Sequence, residues 1–232
     1  MGDTTYHMLR ALGYPFTYRV VGYEHILPDA PAVFIANHLA STGPIQVVLS
    51  MPIRFYPWVI AELADPMRAQ EYLYADFILP VWYLTGWVGK LVARLVASIA
   101  VALIHALGCI PVDRSRGRYL EAFRRSLALL IQGHNLLIFP EDPSGPLDPV
   151  TQLRPFMFGF IYLCYLYRRE TGKDLSICPI AVVPARRLVA VGQAQCFRAA
   201  GHTRSDILLM RDRLQTAEEA LYLSFMGKPG QD

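Results

Sequence analysis

The alternation of apolar and polar positions along the chain divides it into short strands separated by helices. Residues 3–12 read as a short helix. Phe16 to Tyr23 alternates and reads as a strand, with turns at Gly22 and Asp29. Ala32-Val33-Phe34-Ile35-Ala36 is an unbroken apolar run, as expected of a strand buried on both faces, and Asn37-His38 follows it at once. Ser41 or Thr42 caps the next helix, with Pro44 in its first turn. Phe55 to Ala61 reads as another strand. Gly117 to Gln132 reads as an amphipathic helix, with Leu120, Phe123, Leu127, Leu130 and Ile131 on one face and Gly133 as its C′ residue. Asn135 to Phe139 is a buried strand that runs into Pro140-Glu141-Asp142. A helix is expected over Arg154 to Arg168, entered through Pro155. Ser176 to Val183 and Leu188 to Ala194 read as strands, and Asp206 to Phe225 as a terminal helix. Strands alternating with helices predict one α/β domain over residues 1–232, with a central mixed, mostly parallel sheet flanked by helices.

The stretch Phe77 to Val112 breaks this rhythm. Lys90 and Arg94 are its only Lys, Arg, Asp or Glu residues, and there are none from Leu95 to Val112. The run reaches the lower edge of a membrane-spanning length, but Gly108 and Pro111 close it, and Cys109 to Val112 looks like a strand. Three readings stay open: a membrane-embedded hairpin or monotopic segment, a pair of buried core helices, or a true span. Trp58, Trp82 and Trp87 flank or lie within this part, and such residues suit both a bilayer interface and a core. The expectation is an apolar, membrane-associated helical insertion at 75–107.

Composition narrows the picture. The 232 residues are 53% hydrophobic and only 18% charged, with a mean hydropathy of +0.28. This excludes disorder, which needs low hydrophobicity and high net charge, and it points to contact with lipid or a large apolar ligand. The net charge of +3 is too small and scattered for nucleic acid. Of the 22 basic residues only Lys90, Lys173 and Lys228 are lysines, an arginine bias that suits anionic head groups or reflects codon usage. Cys109, Cys164, Cys178 and Cys196 form no CxxC pair and have no histidine at ligand spacing. All four are expected to be buried thiols, which suits a reducing compartment. Met1 to Tyr14 lacks the pattern of a signal peptide.

Polar clusters stand at the ends of apolar strands: Asn37-His38, Asp113-Arg114, Pro140-Glu141-Asp142 and, more weakly, Pro179 with Pro184. Strand C-terminal ends in an open α/β sheet converge on one ligand-binding crevice. A histidine, an arginine and a glutamate there could supply a base, an anion contact and a carboxylate. Each alone also has a plain structural reading: a hydrogen-bonded histidine, or a surface Asp113–Arg114 ion pair.

The order of these clusters resembles the phospholipid/glycerol acyltransferase superfamily, which includes glycerol-3-phosphate and lysophosphatidate acyltransferases. The family's first block, Asn-His, four residues, then Asp-Pro, is similar to Asn37-His38-Leu39-Ala40-Ser41-Thr42-Gly43-Pro44. Gly108-Cys109-Ile110-Pro111-Val112-Asp113-Arg114 resembles its second block, Gly-x-Ile-Pro-Val-Asp-Arg, and is the strongest match. Phe139-Pro140-Glu141-Asp142-Pro143 resembles Phe-Pro-Glu-Gly-Thr, and Pro155-Phe156-Met157-Phe158-Gly159 the Pro-Phe-x-x-Gly that follows. Ile177 to Pro184 is similar to a fourth apolar block with prolines, and Val20 to Glu24 to the strand before the first block. The resemblance covers about residues 16–195.

The resemblance implies transfer of a fatty acyl group from a thioester, acyl-CoA or acyl carrier protein, to a hydroxyl of a glycerophospholipid-type acceptor. It implies His38 as general base, with Asn37, Glu141 and Asp142 in support. Arg114 would contact the acceptor phosphate, with Glu141, Ser41, Asp113 and Gly108 also on the substrate side. No metal or bound cofactor is implied. The implied partners are membrane lipid, the acyl thioester, the membrane surface and, as one of the two donors, acyl carrier protein. The implied location is the cytoplasmic face of a membrane, peripheral or monotopic. Three departures stand out. Gly43 occupies the place of the family's orienting Asp, Asp142-Pro143 replaces Gly-Thr, and Met157-Phe158 stands where a basic residue is common. Two readings follow: an acyltransferase in which Glu62, Asp65, Glu141 or Asp142 orients His38, or a degenerate lipid-binding pseudoenzyme of the same fold.

Overall fold

The computed structural model describes residues 2–27, 30–39, 42–113, 119–197 and 204–226. Asp29, Ser41 and Arg114 lie outside them. The chain divides into two compact units, Met8–Phe55 with Ser126–Asp232, and Met1–His7 with Tyr56–Arg125. Helix α1 (Gly2–Gly13) and strand β3 (Phe55–Ile60) each contribute to both.

The larger unit is built on a mixed, mostly parallel sheet. Its strands are β1 (Arg19–Val21), β2 (Ala32–Ala36), β5 (Asn135–Ile138), β6 (Ser176–Val183), β7 (Leu188–Val191) and β8 (Gln195–Cys196). β2 lies between β5 and β6 and is parallel to both, with Phe34 opposite Leu137 and Cys178. β6 turns back antiparallel into β7, which pairs in parallel with β1, and β8 pairs with the start of β6. Every residue of β2 and β6 is buried, which is why their sequences run apolar without alternation. One face carries Phe34, Cys178, Ile180, Val182 and Val191, covered by Val47 of helix α2 (Thr42–Ser50) and by Met51 and Phe55. Phe34 and Phe55 meet edge to face, with centroids 5.1 Å apart. The opposite face, through Ala181, Val183, Leu188 and Ala190, packs on Tyr222 of helix α9 (Arg204–Met226).

In the other unit β3 pairs in parallel with β4 (Ile110–Val112). The apolar stretch forms helix α6 (Gly86–Leu107), 22 residues long. It presents a small-residue stripe, Gly89, Ala93, Ala97 and Val101, as its buried face. Ala97 and Val101 share a cluster with Ala69 of helix α4 (Pro66–Leu73). The spacing of four residues lets the backbones approach closely. On the other side Trp87, Leu91, Leu95 and Ile99 are all exposed, Trp87 at 78% and Ile99 at 62%. α6 is long and apolar enough to cross a membrane by length and composition, and only 22% of its most apolar window is buried. Gly108 ends it in the left-handed region (φ 71°), and the N–H groups of Gly108 and Cys109 donate to His105 O and Ile104 O at 3.0 Å each.

Several expectations are corrected. Residues 154–158 are not helical; the helix starts with the 3-10 turn Gly159–Ile161 and continues as α8 (Tyr162–Thr171). The N–H groups of Arg154 and Phe156 are claimed by side chains of the site described below, and that of Met157 by Pro140 O at 2.7 Å. The strand expected over 16–23 is confined to Arg19–Val21, between 3-10 turns at Tyr14–Phe16 and Tyr23–His25. The strand expected over 188–194 ends at Val191, with β8 following. Helix α7 (Tyr119–Ile131) buries Ala122, Ser126 and Leu130, while Leu120 and Ile131 are exposed; its buried stripe is one residue out of phase with the bulky apolar positions. Cys109, Cys164 and Cys178 are buried, but Cys196 is exposed on the short β8. Burial pushes the Cys109 thiol up to about 12.

Candidate active site around His38 and Glu141

The end of β2 is fixed by Asn37. Its buried side-chain amide donates from Nδ2 to Val182 O (2.9 Å) and accepts at Oδ1 from Val182 N–H (2.7 Å). The amide thus imitates a strand partner for β6 just where β2 stops pairing. The chain is then free to turn. His38 follows, then Leu39 with φ 42°, and the N–H of Gly43 donates to His38 O at 3.0 Å as α2 begins.

His38 is held through its main chain. Its N–H donates to Oε1 of Glu141 at 2.7 Å. Its ring stands edge to face on Phe139, with centroids 5.2 Å apart. His38 is exposed, yet the protein packed about its ring strips hydration from the imidazolium and lowers its pKa below the ordinary histidine value. The neutral imidazole is the favoured form near neutral pH. Among the described residues no side chain hydrogen-bonds the ring. Asp142 turns into its own loop, where Oδ1 accepts from Ser144 N–H (2.9 Å) and Oγ–H (2.7 Å). Glu62 pairs with Arg68 at 2.5 Å, and Asp65 caps α4 through the N–H groups of Met67 and Arg68.

Gly43 explains why no carboxylate stands in the first block. A Cβ at this position would lie 2.1 Å from Asn37 O and 2.5 Å from His38 O. Both are main-chain atoms, so no side chain fits without moving the turn that carries His38.

Glu141 is the organising carboxylate. It is buried, and its Oε2 accepts from Arg154 N–H at 3.3 Å while Phe156 bridges back to it. Phe156 N–H in turn donates to Oε1 of Gln215 on α9 at 3.0 Å. Arg154 extends its guanidinium to Gly145 O. Burial raises the Glu141 pKa, opposed by the N–H bonds from His38 and Arg154 and by the Arg154 charge. Arg154, expected at the start of a helix, instead supplies a cation beside Glu141. The Arg-Pro-Phe context gave a signal only through Pro155, which disfavours a helical residue before it.

Asn37, His38, Glu141 and Asp142 thus lie together in one unit. Gly108 and Asp113 belong to the other: Gly108 caps α6 and its carbonyl accepts from Arg125 Nη2 at 3.4 Å, and Asp113 follows directly on β4. Ser41 and Arg114, expected on the substrate side, lie outside the described residues. No group of three His, Cys, Asp or Glu suited to a metal ion occurs among the described residues.

The sequence matches no protein-family model and no curated protein. Among solved structures it is similar to the 1-acyl-sn-glycerophosphate (LPA) acyltransferase PlsC from Thermotoga maritima. The likeness has a TM-score of 0.57 at 11% identity and covers 97% of this chain and 81% of that one. At this identity the likeness is one of architecture, and it extends over nearly the whole chain: the protein has an α/β fold like that of PlsC.

Proposed function

We propose that the protein is an O-acyltransferase of phospholipid synthesis or remodelling. It moves a fatty acyl group from acyl-CoA or acyl carrier protein to a hydroxyl of a glycerophospholipid-type acceptor. The observation that carries this reading is His38: a histidine at a strand end, its main chain tied to Glu141 at 2.7 Å and its pKa lowered by the protein packed around it. His38 takes the acceptor hydroxyl proton as the oxygen attacks the thioester carbon. The C–S bond then breaks, and the imidazolium returns its proton to the leaving thiolate. The hold on His38 comes from the main chain, through Glu141 below and Asn37 behind. The resemblance assigns Arg114 to the acceptor phosphate and Ser41, Asp113 and Gly108 to the substrate side, while Asp142 shapes the loop after Glu141.

The exposed face of α6 lies on lipid as a monotopic contact at the cytoplasmic side of a membrane. Trp82 and Trp87 stand at its N-terminal end, and both are exposed, as suits aromatic side chains at a head-group level. The acyl chain and the acceptor lipid both reside in that phase.

One observation favours a second reading, a lipid-binding pseudoenzyme: the His38 ring has no carboxylate partner among the described residues, and Gly43 leaves no space for one. The deciding experiment is thiol release from acyl-CoA with a panel of lyso-acceptors, comparing the native chain with His38→Ala. Release that depends on acceptor and vanishes in His38→Ala supports the enzyme. A silent native chain that co-purifies with long-chain lipid supports the binding protein.

A further inference from the structure

Helix α9 places a carboxyl where an apolar side chain would be expected. Its buried stripe is Ile207, Met210, Leu214, Glu218 and Tyr222, and Glu218 is 0% exposed. Neither of its carboxyl oxygens has a hydrogen-bond partner among the described residues. One turn earlier Gln215 accepts the Phe156 N–H, and Phe156 bridges to Glu141. The helix is therefore tied to the strand-end site beside the buried acid. Burial, then the charges of Glu141 and Glu219, push the Glu218 pKa well above the ordinary carboxylate range.

The other groups around Glu218 do not offset this. Glu219, on the same helix, accepts from Gln215 Nε2 at 2.9 Å. The β6 residues packed on this side of the sheet, Ala181 and Val183, do not titrate, and neither does the Gly159–Ile161 turn. The Pro184–Arg186 turn brings Arg186, whose guanidinium is bonded to Met226 O at the end of α9. Tyr222, one turn on, is itself pushed up by burial. Arg154 acts on Glu141. A buried carboxylate without donors takes up a proton.

We infer that Glu218 is a neutral, protonated acid in the folded protein, set one turn along α9 from the Gln215 that holds the Phe156 bridge to Glu141, and that its neutrality makes it a positioning residue for the His38 turn. As the anion, Glu141 accepts the His38 and Arg154 N–H groups in charge-assisted bonds. Ionising Glu218 adds a buried negative charge near the bridge that holds Glu141, and like charges raise each other's pKa. Protonation of Glu141 weakens its grip on His38. The consequence for catalysis rests on the acyltransferase reading; the protonation of Glu218 does not.

The test is urea unfolding of the native chain, Glu218→Gln and Glu141→Gln from pH 5 to 9. The folded state keeps a proton on Glu218 that the unfolded chain loses near an ordinary glutamate pKa of about 4.3. Above that pH the unfolding constant of the native chain rises about tenfold per pH unit relative to Glu218→Gln, until Glu218 ionises in the folded state. Removing the Glu141 charge moves that end point down by about one pH unit or more. Parallel curves for the native chain and Glu218→Gln, or an end point unmoved in Glu141→Gln, overturn the proposal. If a variant does not fold, carboxyl 13C NMR of the native chain decides: one protonated glutamate at pH 7 supports the proposal and none overturns it. In the acyl-transfer assay Glu218→Gln retains the neutral-pH rate within about threefold, as the isostere of a neutral acid. The native rate falls at the high pH where Glu218 ionises and that of Glu218→Gln does not; coinciding pH profiles overturn the positioning role. A native chain with no acyl transfer counts against the acyltransferase reading, while the unfolding curves still decide the protonation of Glu218.

Discussion

Glu141 binds His38 through the main chain and not through the ring: Oε1 accepts the His38 N–H at 2.7 Å, and the imidazole faces Phe139. The carboxylate therefore sets where the histidine sits and bonds neither ring nitrogen. Replacing Glu141 by Ala leaves two N–H groups without their acceptor, a loss of about 1–3 kcal/mol each. Glu141→Gln keeps one carbonyl acceptor. The expected order of stability in urea unfolding, and of acyl-transfer rate, is native, Glu141→Gln, Glu141→Ala. A Glu141→Ala protein as active as the native chain would remove Glu141 from the site.

The lowered pKa of His38 fixes the sign of two pH effects. The base form is present at lower pH than for a free histidine, so kcat/KM rises through a midpoint below about 6.5 and then levels. Folding disfavours the imidazolium, so this group's contribution to stability is intact above the unfolded pKa. It is lost as pH falls through the folded one. A pH–rate profile and unfolding of the native chain beside His38→Gln measure both. A midpoint above the free-histidine value contradicts this environment.

Gly43→Asp is expected to impair the protein and not to improve it. The new Cβ meets Asn37 O and His38 O well inside van der Waals contact, and overpacking of this kind costs about 1–3 kcal/mol. Gly43→Ala should show most of the same loss, since the Cβ alone clashes. Urea midpoints and thiol release for both variants check this; a gain of activity in Gly43→Asp would show that the turn can open to admit an orienting carboxylate.

Asn37→Ala removes both bonds to Val182 and leaves a buried main-chain N–H and C=O unpaired, at about 1–3 kcal/mol per group. Asn37→Asp keeps the acceptor but loses the donor and brings a charge into the core. Both should lower the urea midpoint, and activity should follow because His38 is the next residue.

The exposed face of α6 predicts lipid binding separable from folding. Trp87→Gln, Leu91→Gln, Leu95→Gln and Ile99→Gln together should leave the unfolding midpoint nearly unchanged, as surface substitutions do. Co-sedimentation with phospholipid vesicles should fall tenfold or more, since each apolar side chain withdrawn from lipid forfeits about 1.5–3 kcal/mol. Ala97→Leu, on the buried stripe, should do the opposite: it destabilises the fold and spares the lipid-facing side. Undiminished sedimentation of the fourfold variant would rule out this face as the contact.

The sequence by itself determined the parts whose physics is local. Unbroken apolar runs made β2 and β6, and the glycine after Leu107 ended α6, because burial on both faces and a left-handed cap each need a particular residue type. The pairs Asn37-His38 and Glu141-Asp142 stood out as a candidate site because polar residues there follow the buried runs of β2 and β5. What only the tertiary structure decided depends on distant partners. Residues 154–158 lose their helix because Glu141 and Gln215, 13 and 59 residues away from Arg154 and Phe156, take their N–H groups. Gly43 looks like a lost carboxylate in the chain and is a steric necessity in the fold, where two carbonyls occupy the space of a side chain. Glu218, one charge on a helix, acquires its meaning only when burial and Glu141 come together around it. The strength of a carboxyl is set by the solvent and charges around it, and those are known only once the chain has folded.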